Sequence, residues 1–409
     1  MKQRLLFALC FPLYAFAQKN NNSPSSYEIH DIKITGYLQT QYQKAQSPGI
    51  SSFSGGDFDT NSDNRFMIRR GRLKIDRVDK FSSIVFQIDA TQTGVQLMDA
   101  FIQLREPTFK TLKLTAGLFN RPFGYSIVYS SGYRDFPERA RVFQTLMPRE
   151  RDLGAMIGFY PQKRNTTLAF ELAVVNGSGK NATDFDGRKD LIANLSLNID
   201  SLANKKIQIG LGVSGYFGAV RNNTKTSYID TKNGFELRNY DDVGSYLDRN
   251  YFGANLQLGY DSNLGKTTLK GEYVAGLQPG IAGDGKKGPS ASMSFGTQPT
   301  TNLYQRNFNG YYIWFTHTIA KSNLTALIAY DVYDPNTKVS NQQIGIASNF
   351  TNAGDVKYNT LGYGLAYQIN SRLKVTLYNE HIKNEITSLS DFSDDVRDDV
   401  LTTRLQYRW

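Results

Sequence analysis

The segment Val400 to Trp409 reads V-L-T-T-R-L-Q-Y-R-W, which sets Leu401, Thr403, Leu405, Tyr407 and Trp409 on one side of an extended chain and Thr402, Arg404, Gln406 and Arg408 on the other. A period of two belongs to a strand with one greasy and one wet face. An apolar face that finishes on an aromatic ring suits a strand whose outer side meets lipid, with the ring at the height of the interfacial girdle. The pattern points to a transmembrane β-barrel.

The other end of the chain agrees. Met1 to Ala17 carries Lys2 and Arg4, an apolar run from Leu5 to Phe16, and Ala15-Phe16-Ala17 as a small-x-small cleavage site before Gln18. That apolar core is too short to span a bilayer, so residues 1–17 read as a cleaved secretory signal peptide. Cys10 follows Leu9 where lipoprotein processing wants a small residue. As the only cysteine it leaves with the signal, and residues 18–409 then hold no disulfide and no thiolate metal site.

Composition narrows the class further. No run of about 18 apolar residues follows the signal, which excludes helical membrane spans. Yet 25 Tyr, 25 Phe and 35 Gly in 409 residues accompany a negative mean hydropathy, as alternating lipid-facing and water-facing positions produce. No Pro-rich or low-complexity break divides residues 18–409, so one barrel domain is expected. The balance of 47 Lys plus Arg against 37 Asp plus Glu gives +10, or +8 without Lys2 and Arg4. In an exported chain without nucleic-acid motifs, that surplus suits small inorganic anions or lipopolysaccharide as partners.

Alternating segments begin near Ile32, Arg65, Ser82, Val95, Thr111, Asp152, Thr167, Asp190, Lys206, Asn250, Thr267, Phe308, Asn323, Asn359, Leu373 and Val400. Short polar turns such as Val78 to Lys80 and Asn370 to Arg372 alternate with mostly long connections rich in Gly, Asn and Asp; Thr91 to Gly94 is the short exception. Seven turns and eight outer connections make an all-β, antiparallel barrel of sixteen strands with both ends on the short-turn side, wide enough for a water-filled lumen.

Where alternation is clean, faces can be assigned. Ile84, Phe86, Ile88 and Ala90 face out, as do Met98, Ala100, Ile102 and Leu104; Gln87, Asp89, Asp99, Gln103 and Arg105 face in. Leu73 and Ile75 point out, so Arg70, Arg72 and Lys74 point in. Arg69 falls on the outer parity, and is placed near headgroups, at a subunit contact, or re-aimed by a bulge.

The connection Asn120 to Arg151 far exceeds what a turn needs. It holds Phe123, Tyr125, Ile127, Tyr129, Tyr133, Phe136, Val142, Phe143 and Leu146 among other apolar residues. A loop that apolar packs against something, and the barrel interior is available, so the expectation is a third outer loop folded inward as a constriction. It carries Arg121, Arg134, Arg139, Arg141, Arg149 and Arg151 against Asp135, Glu138, Glu150 and Asp152. With Arg70, Arg72 and Lys74 on the wall, these guanidiniums suit an anion passage, since their planar donors match phosphate bidentately. The alternative is that they pair with the loop's own acids and with lipopolysaccharide phosphates and simply hold it in place, with Arg149-Glu150-Arg151-Asp152 as an anchor at a strand start.

Phe66-Met67-Ile68-Arg69-Arg70-Gly71-Arg72-Leu73, Gln87-Ile88-Asp89-Ala90, Asp99-Ala100-Phe101, the run Leu114 to Gly124, Glu138-Arg139 and Arg151 to Met156 together resemble the phosphate-selective porin O and P family. The resemblance is specific over Asn64 to Pro161 and weaker beyond. It implies a sixteen-stranded trimeric outer-membrane porin, with a luminal arginine ladder and a basic constriction; Arg69, Arg70, Arg72, Arg121, Arg139 and Arg151 are the arginines in matching motifs. The strands after Asp190 carry few lysine or arginine series, which departs from a continuous ladder.

Other chemistry is thinly represented. Asp57 to Asp63 spaces oxygen ligands as calcium loops do, but an EF-hand would want Gly at Ser62 and Glu at Ile68. His30, His317 and His381 are the only histidines, and none has a nucleophile aligned with it in the sequence pattern. No enzyme activity, cofactor or metal site is expected; a surface adhesin or receptor barrel is the rival to a porin.

Overall fold

The computed structural model describes residues 32–148, 150–180, 183–202, 206–283 and 298–409. The signal peptide expected at 1–17, His30 and Arg149 lie outside the described residues.

Sixteen strands form the wall: β1 (Ile32–Ala45), β2 (Asn64–Val78), β3 (Ser82–Thr91), β4 (Gly94–Arg105), β5 (Leu112–Asn120), β6 (Arg151–Phe159), β7 (Thr166–Val175) and β8 (Asp190–Leu202), then β9 (Ile207–Arg221), β10 (Tyr246–Ser262), β11 (Gly265–Gly280), β12 (Leu303–Ile319), β13 (Leu324–Asp334), β14 (Tyr358–Gln368), β15 (Leu373–Asn384) and β16 (Val400–Arg408). Each pairs antiparallel with its neighbours. The ring closes where β1 meets β16, from Tyr37 opposite Arg408 to Ala45 opposite Val400. Closure matters because a strand edge left open in lipid would strand its backbone donors and acceptors. Among the described residues no helix is long and apolar enough to cross a membrane, which says nothing against strands.

The alternation sets the faces. In β16, Leu401, Leu405 and Tyr407 are 40–45% exposed, while Thr402, Arg404 and Gln406 are at most 6% exposed. Two bulges shift the expected parities. Arg69 is the extra residue of β2, because Gln39 pairs with Arg70 and Thr40 with Ile68. Met98 is the extra residue of β4, because Gln87 pairs with Asp99 and Ile88 with Leu97. The outward assignment of Met98 is therefore corrected: Leu97 takes the exposed position and Met98 is buried. A bulge inserts one residue and inverts the parity beyond it, which a strict period of two misses.

Beyond the wall, a hairpin of Thr226–Thr231 and Gly234–Asn239 folds down to pair in parallel with Leu303 to Gln305 at the start of β12. The connections after β13 and β15 share a small core of Val339, Ile344, Val356 and Phe392. Arg306 of β12 reaches this cap in a fully buried ion pair with Asp355 at 2.8 Å.

Candidate functional site

The connection from Asn120 to Arg151 touches both sides of the wall. On one side, Phe123 meets Tyr216 and Tyr251 edge-on with centroids 6.5 and 6.4 Å apart, Phe136 stacks on Trp314 at 5.0 Å, and Phe143 meets Tyr312 at 5.9 Å. The partners stand on β9, β10 and β12 and belong to one buried cluster with the connection's residues. On the other side the contacts are polar. Tyr37 bonds Ser131 at 2.6 Å, Gln39 and Gln406 donate to the carbonyls of Ser131 and Gly132, and Arg404 donates to that of Pro137 at 2.6 Å.

Backbone geometry lets the connection come this close. Gly124 has φ +61°, and a Cβ there would fall 1.7 Å from Glu272 Oε1. Only glycine takes both the left-handed region and the approach. The Glu272 carboxylate accepts the next two backbone N–H groups, of Tyr125 and Ser126, at 3.0 and 2.9 Å, and the Tyr312 hydroxyl at 3.1 Å.

Glu138 is the electrostatic hub. Its buried carboxylate accepts from Arg69 at 2.9 Å, Arg70 at 2.7 Å and Arg404 at 2.8 Å. The β2 bulge aims Arg69 and Arg70, consecutive residues, at the same carboxylate. Burial opposes its ionisation, but Arg69, Arg70 and Arg404 hold it well below the usual carboxylate range. Glu150 pairs with Arg139 and Arg151 and occupies φ +63°, a conformation costing a non-glycine residue roughly 1–2 kcal/mol. Arg151 also binds Asp99 at 2.9 Å. Arg121 binds Asp152 at 2.7 Å, and Asp152 further accepts the backbone N–H groups of Gly177 and Gly179. The acids thus fasten the connection at its base and at mid-length.

The candidate lining residues divide accordingly. Two cavities lie along the polar wall, one of about 860 Å³ towards the short-turn end and one of about 270 Å³ towards the long connections. Arg72 and Arg139 line both, Arg70 the second and Lys74 the first. Arg72 is paired with Asp89 at 2.8 Å and Lys74 with Asp76 at 2.7 Å. Arg121, Arg134 and Arg141 line neither. Arg121 is 1% exposed in its ion pair. Arg141 lies between the rings of Phe53 and Tyr358, at 4.3 and 3.8 Å from their centroids. Arg134 is buried with none of its three guanidinium nitrogens hydrogen-bonded. Burial, with Arg139 and Arg70 nearby, pushes its pKa well down; a guanidinium nonetheless keeps its proton in proteins, so it carries a fixed charge.

Sequence reasoning passed over several basic residues at this site. Lys33, Arg372 and Arg408 line the larger cavity, and Lys374 donates to the Arg134 carbonyl at 3.2 Å. The signal for Arg404 and Arg408 was available, because both share the wet parity of β16. Lys33 likewise shares the parity of the inward Tyr37 and Gln39. The histidines lie elsewhere: His317 bonds Thr267 at 2.9 Å and His381 bonds Asp399 at 2.8 Å.

Solved structures similar to this fold include outer-membrane proteins, among them a porin. The fold is similar to an anion-selective porin from Comamonas acidovorans over 92% of this chain and 99% of that one, at 11% identity and TM-score 0.54. It is similar to OprB of Pseudomonas putida over 92% and 94%, at 10% identity and TM-score 0.55, and to a trimer form of OmpT from Vibrio cholerae over 92% and 99%, at 9% identity and TM-score 0.50. These likenesses establish a porin-type closed barrel. No protein-family model matches the chain and no curated protein matches it in sequence, so the resemblance to phosphate-selective porins has no support from either.

Proposed function

We propose that the chain is an outer-membrane porin, delivered by its signal peptide, whose lumen passes small anions by passive diffusion without chemistry. The carrying observation is the pair of cavities that share Arg72 and Arg139, the larger lined by seven basic side chains against three carboxylates. In this reading the connection Asn120 to Arg151 is the inward constriction, and the passage runs along the polar wall beside it. Charge in such a lumen concentrates anions while water keeps the attraction weak enough for release.

Anion bias is favoured over a phosphate-specific ladder. Arg70, Arg72, Arg121, Arg139 and Arg151 each have a carboxylate partner, which blunts the bidentate grip that phosphate or polyphosphate selectivity would need. A homotrimer, as in the OmpT trimer form, is the assembly proposed, with lipopolysaccharide around its outer face. Single-channel reversal potential under a salt gradient tests the function. A potential of anion sign supports the reading, whereas a cation sign or the absence of conductance overturns it. Added inorganic phosphate that blocks chloride current at low concentration would restore the phosphate-selective reading.

A further inference from the structure

The larger cavity is not built like a passage for inorganic ions alone. Tyr133 is 60% exposed and Val128 is 39% exposed, and both line it. They sit on the same connection as Phe123, Ile127, Val142 and Phe143, which are at most 1% exposed. The connection has therefore buried the apolar groups that pin it and left two facing the lumen. Exposed apolar surface inside a cavity does nothing for a hydrated inorganic ion and does bind an apolar body.

The charges of this cavity are graded. Arg72, Lys74, Arg139 and Arg151 each lie within an ion pair. Lys33, Arg372 and Arg408 line the same cavity, and among the described residues none has a carboxylate within 4.0 Å. Arg408 stacks on one face of the Tyr133 ring, its Cζ 4.3 Å from the centroid, and donates to the Gly132 carbonyl at 3.4 Å. The Arg372 guanidinium donates to the Tyr407 hydroxyl at 3.5 Å, and its backbone N–H to the Asn370 side chain at 2.9 Å. An exposed aromatic ring backed by a guanidinium thus stands beside unpaired cations, in a cavity of about 860 Å³ that falls in the size range of small-molecule sites.

We propose that this cavity is a binding site for amphipathic organic anions, in the simplest case an aromatic monocarboxylate, with its ring against Tyr133 and Val128 and its carboxylate drawn to Lys33, Arg372 and Arg408. The proposal rests on the porin reading and deepens it: the organic anion is a preferred solute, held briefly at the short-turn mouth. Carboxylate binding there uses cations that no protein carboxylate holds in a direct ion pair among the described residues, and ring stacking supplies discrimination that inorganic anions cannot share.

The test uses the full-length protein in a planar bilayer carrying potassium chloride current, with benzoate, acetate and inorganic phosphate added separately to either side. Benzoate is expected to reduce the current saturably at a concentration about tenfold below that needed for acetate or phosphate. Tyr133→Ala should raise the half-blocking benzoate concentration about threefold to tenfold and leave phosphate unchanged. Arg408→Gln should weaken benzoate and acetate together. Equal potency of the three anions in a conducting channel, or a Tyr133→Ala variant with unaltered benzoate response, overturns the inference while leaving the porin reading intact. Absence of any conductance overturns the porin reading, and equilibrium dialysis of benzoate against the detergent-solubilised protein then decides the site by itself: binding lost in Tyr133→Ala supports it and no binding sinks it.

Discussion

The two halves of the barrel wall use one alternation for opposite purposes. From β8 to β13 the inward positions include Ile192, Tyr216, Tyr251, Phe308, Tyr312 and Trp314, all at most 3% exposed. From β16 through β5 they include Gln39, Gln41, Arg70, Arg72, Gln87, Asp99, Arg404 and Gln406. The first set meets the apolar side of the connection and becomes a dry core. The second meets its polar side through hydrogen bonds and ion pairs, and it is where both cavities lie. Strand patterning thus specifies a barrel everywhere but a core on one side only, so the dry packing and the two cavities lie on different parts of the wall.

If that division is right, the dry side should dominate stability. Phe123→Ala and Phe143→Ala, which empty fully buried ring sites, should each cost about 3–5 kcal/mol. Thr115→Val on the polar wall, which replaces the hydroxyl accepting from Gln103 at 3.1 Å by a methyl group of similar shape, should cost about 1 kcal/mol. The temperature at which the folded band converts on unboiled detergent gels measures the contrast. Equal shifts on the two sides would dissolve it.

Glu138 is where the polar side carries structure. Glu138→Gln removes the charge that Arg69, Arg70 and Arg404 share, and losing one partner of a buried ionic cluster costs about 3–5 kcal/mol. Three guanidiniums are then uncompensated, so anion preference should rise even as the fold weakens. A variant that loses anion preference instead would place the arginines outside the conducting path.

The contrast also explains what the sequence disclosed. Strand number, pairing order and outward faces follow from a period of two that repeats sixteen times, and starts such as Ile32, Ser82, Asp190, Leu373 and Val400 coincide with the observed strands. Met98 and Arg69 were misplaced or left open, because a bulge changes parity without changing composition. Ion pairing was harder still. Glu138 lies 68 residues from Arg70 and 266 from Arg404, and no local pattern reports which carboxylate closes on which guanidinium. Acids in the connection were visible as a group, whereas the hub and the unpaired cations of the mouth depend on tertiary placement.

That placement separates two arginines that look equivalent in sequence. Arg70 is committed to Glu138 and Gln39, while Arg72 lines both cavities with Asp89 as partner. Arg72→Gln should move the reversal potential towards zero by more than Arg70→Gln does, and Arg70→Gln should lower the conversion temperature by more. Salt provides a check, because lumen charges are screened over about 10 Å at 0.1 M. The difference in selectivity should fade as salt rises; equal selectivity losses at low salt would remove the distinction between anchoring and lining arginines.

The smallest effect on the pore is expected from the outer cap, where Asp398 lies near Arg141 of the connection Asn120 to Arg151, with Asp395 and Asp399 alongside. Burial raises the Asp398 carboxyl from its ordinary 3.8 to about 7, with Arg141 opposing the rise and the neighbouring acids adding to it. Because the folded chain holds this proton more tightly than the unfolded one, the stabilisation is fully present below about pH 4 and is lost as pH rises to about 7. Opening of the segment Ser390–Phe392 and its surroundings, followed by hydrogen exchange, should therefore increase between pH 5 and neutrality and then level off. Asp398→Asn removes the titrating group while keeping a polar side chain of the same size, so it should flatten that dependence and leave single-channel conductance unchanged. A pH slope that survives in Asp398→Asn would assign it to another cap carboxylate, and a change in anion preference would mean that the cap reaches into the conducting path rather than standing above it.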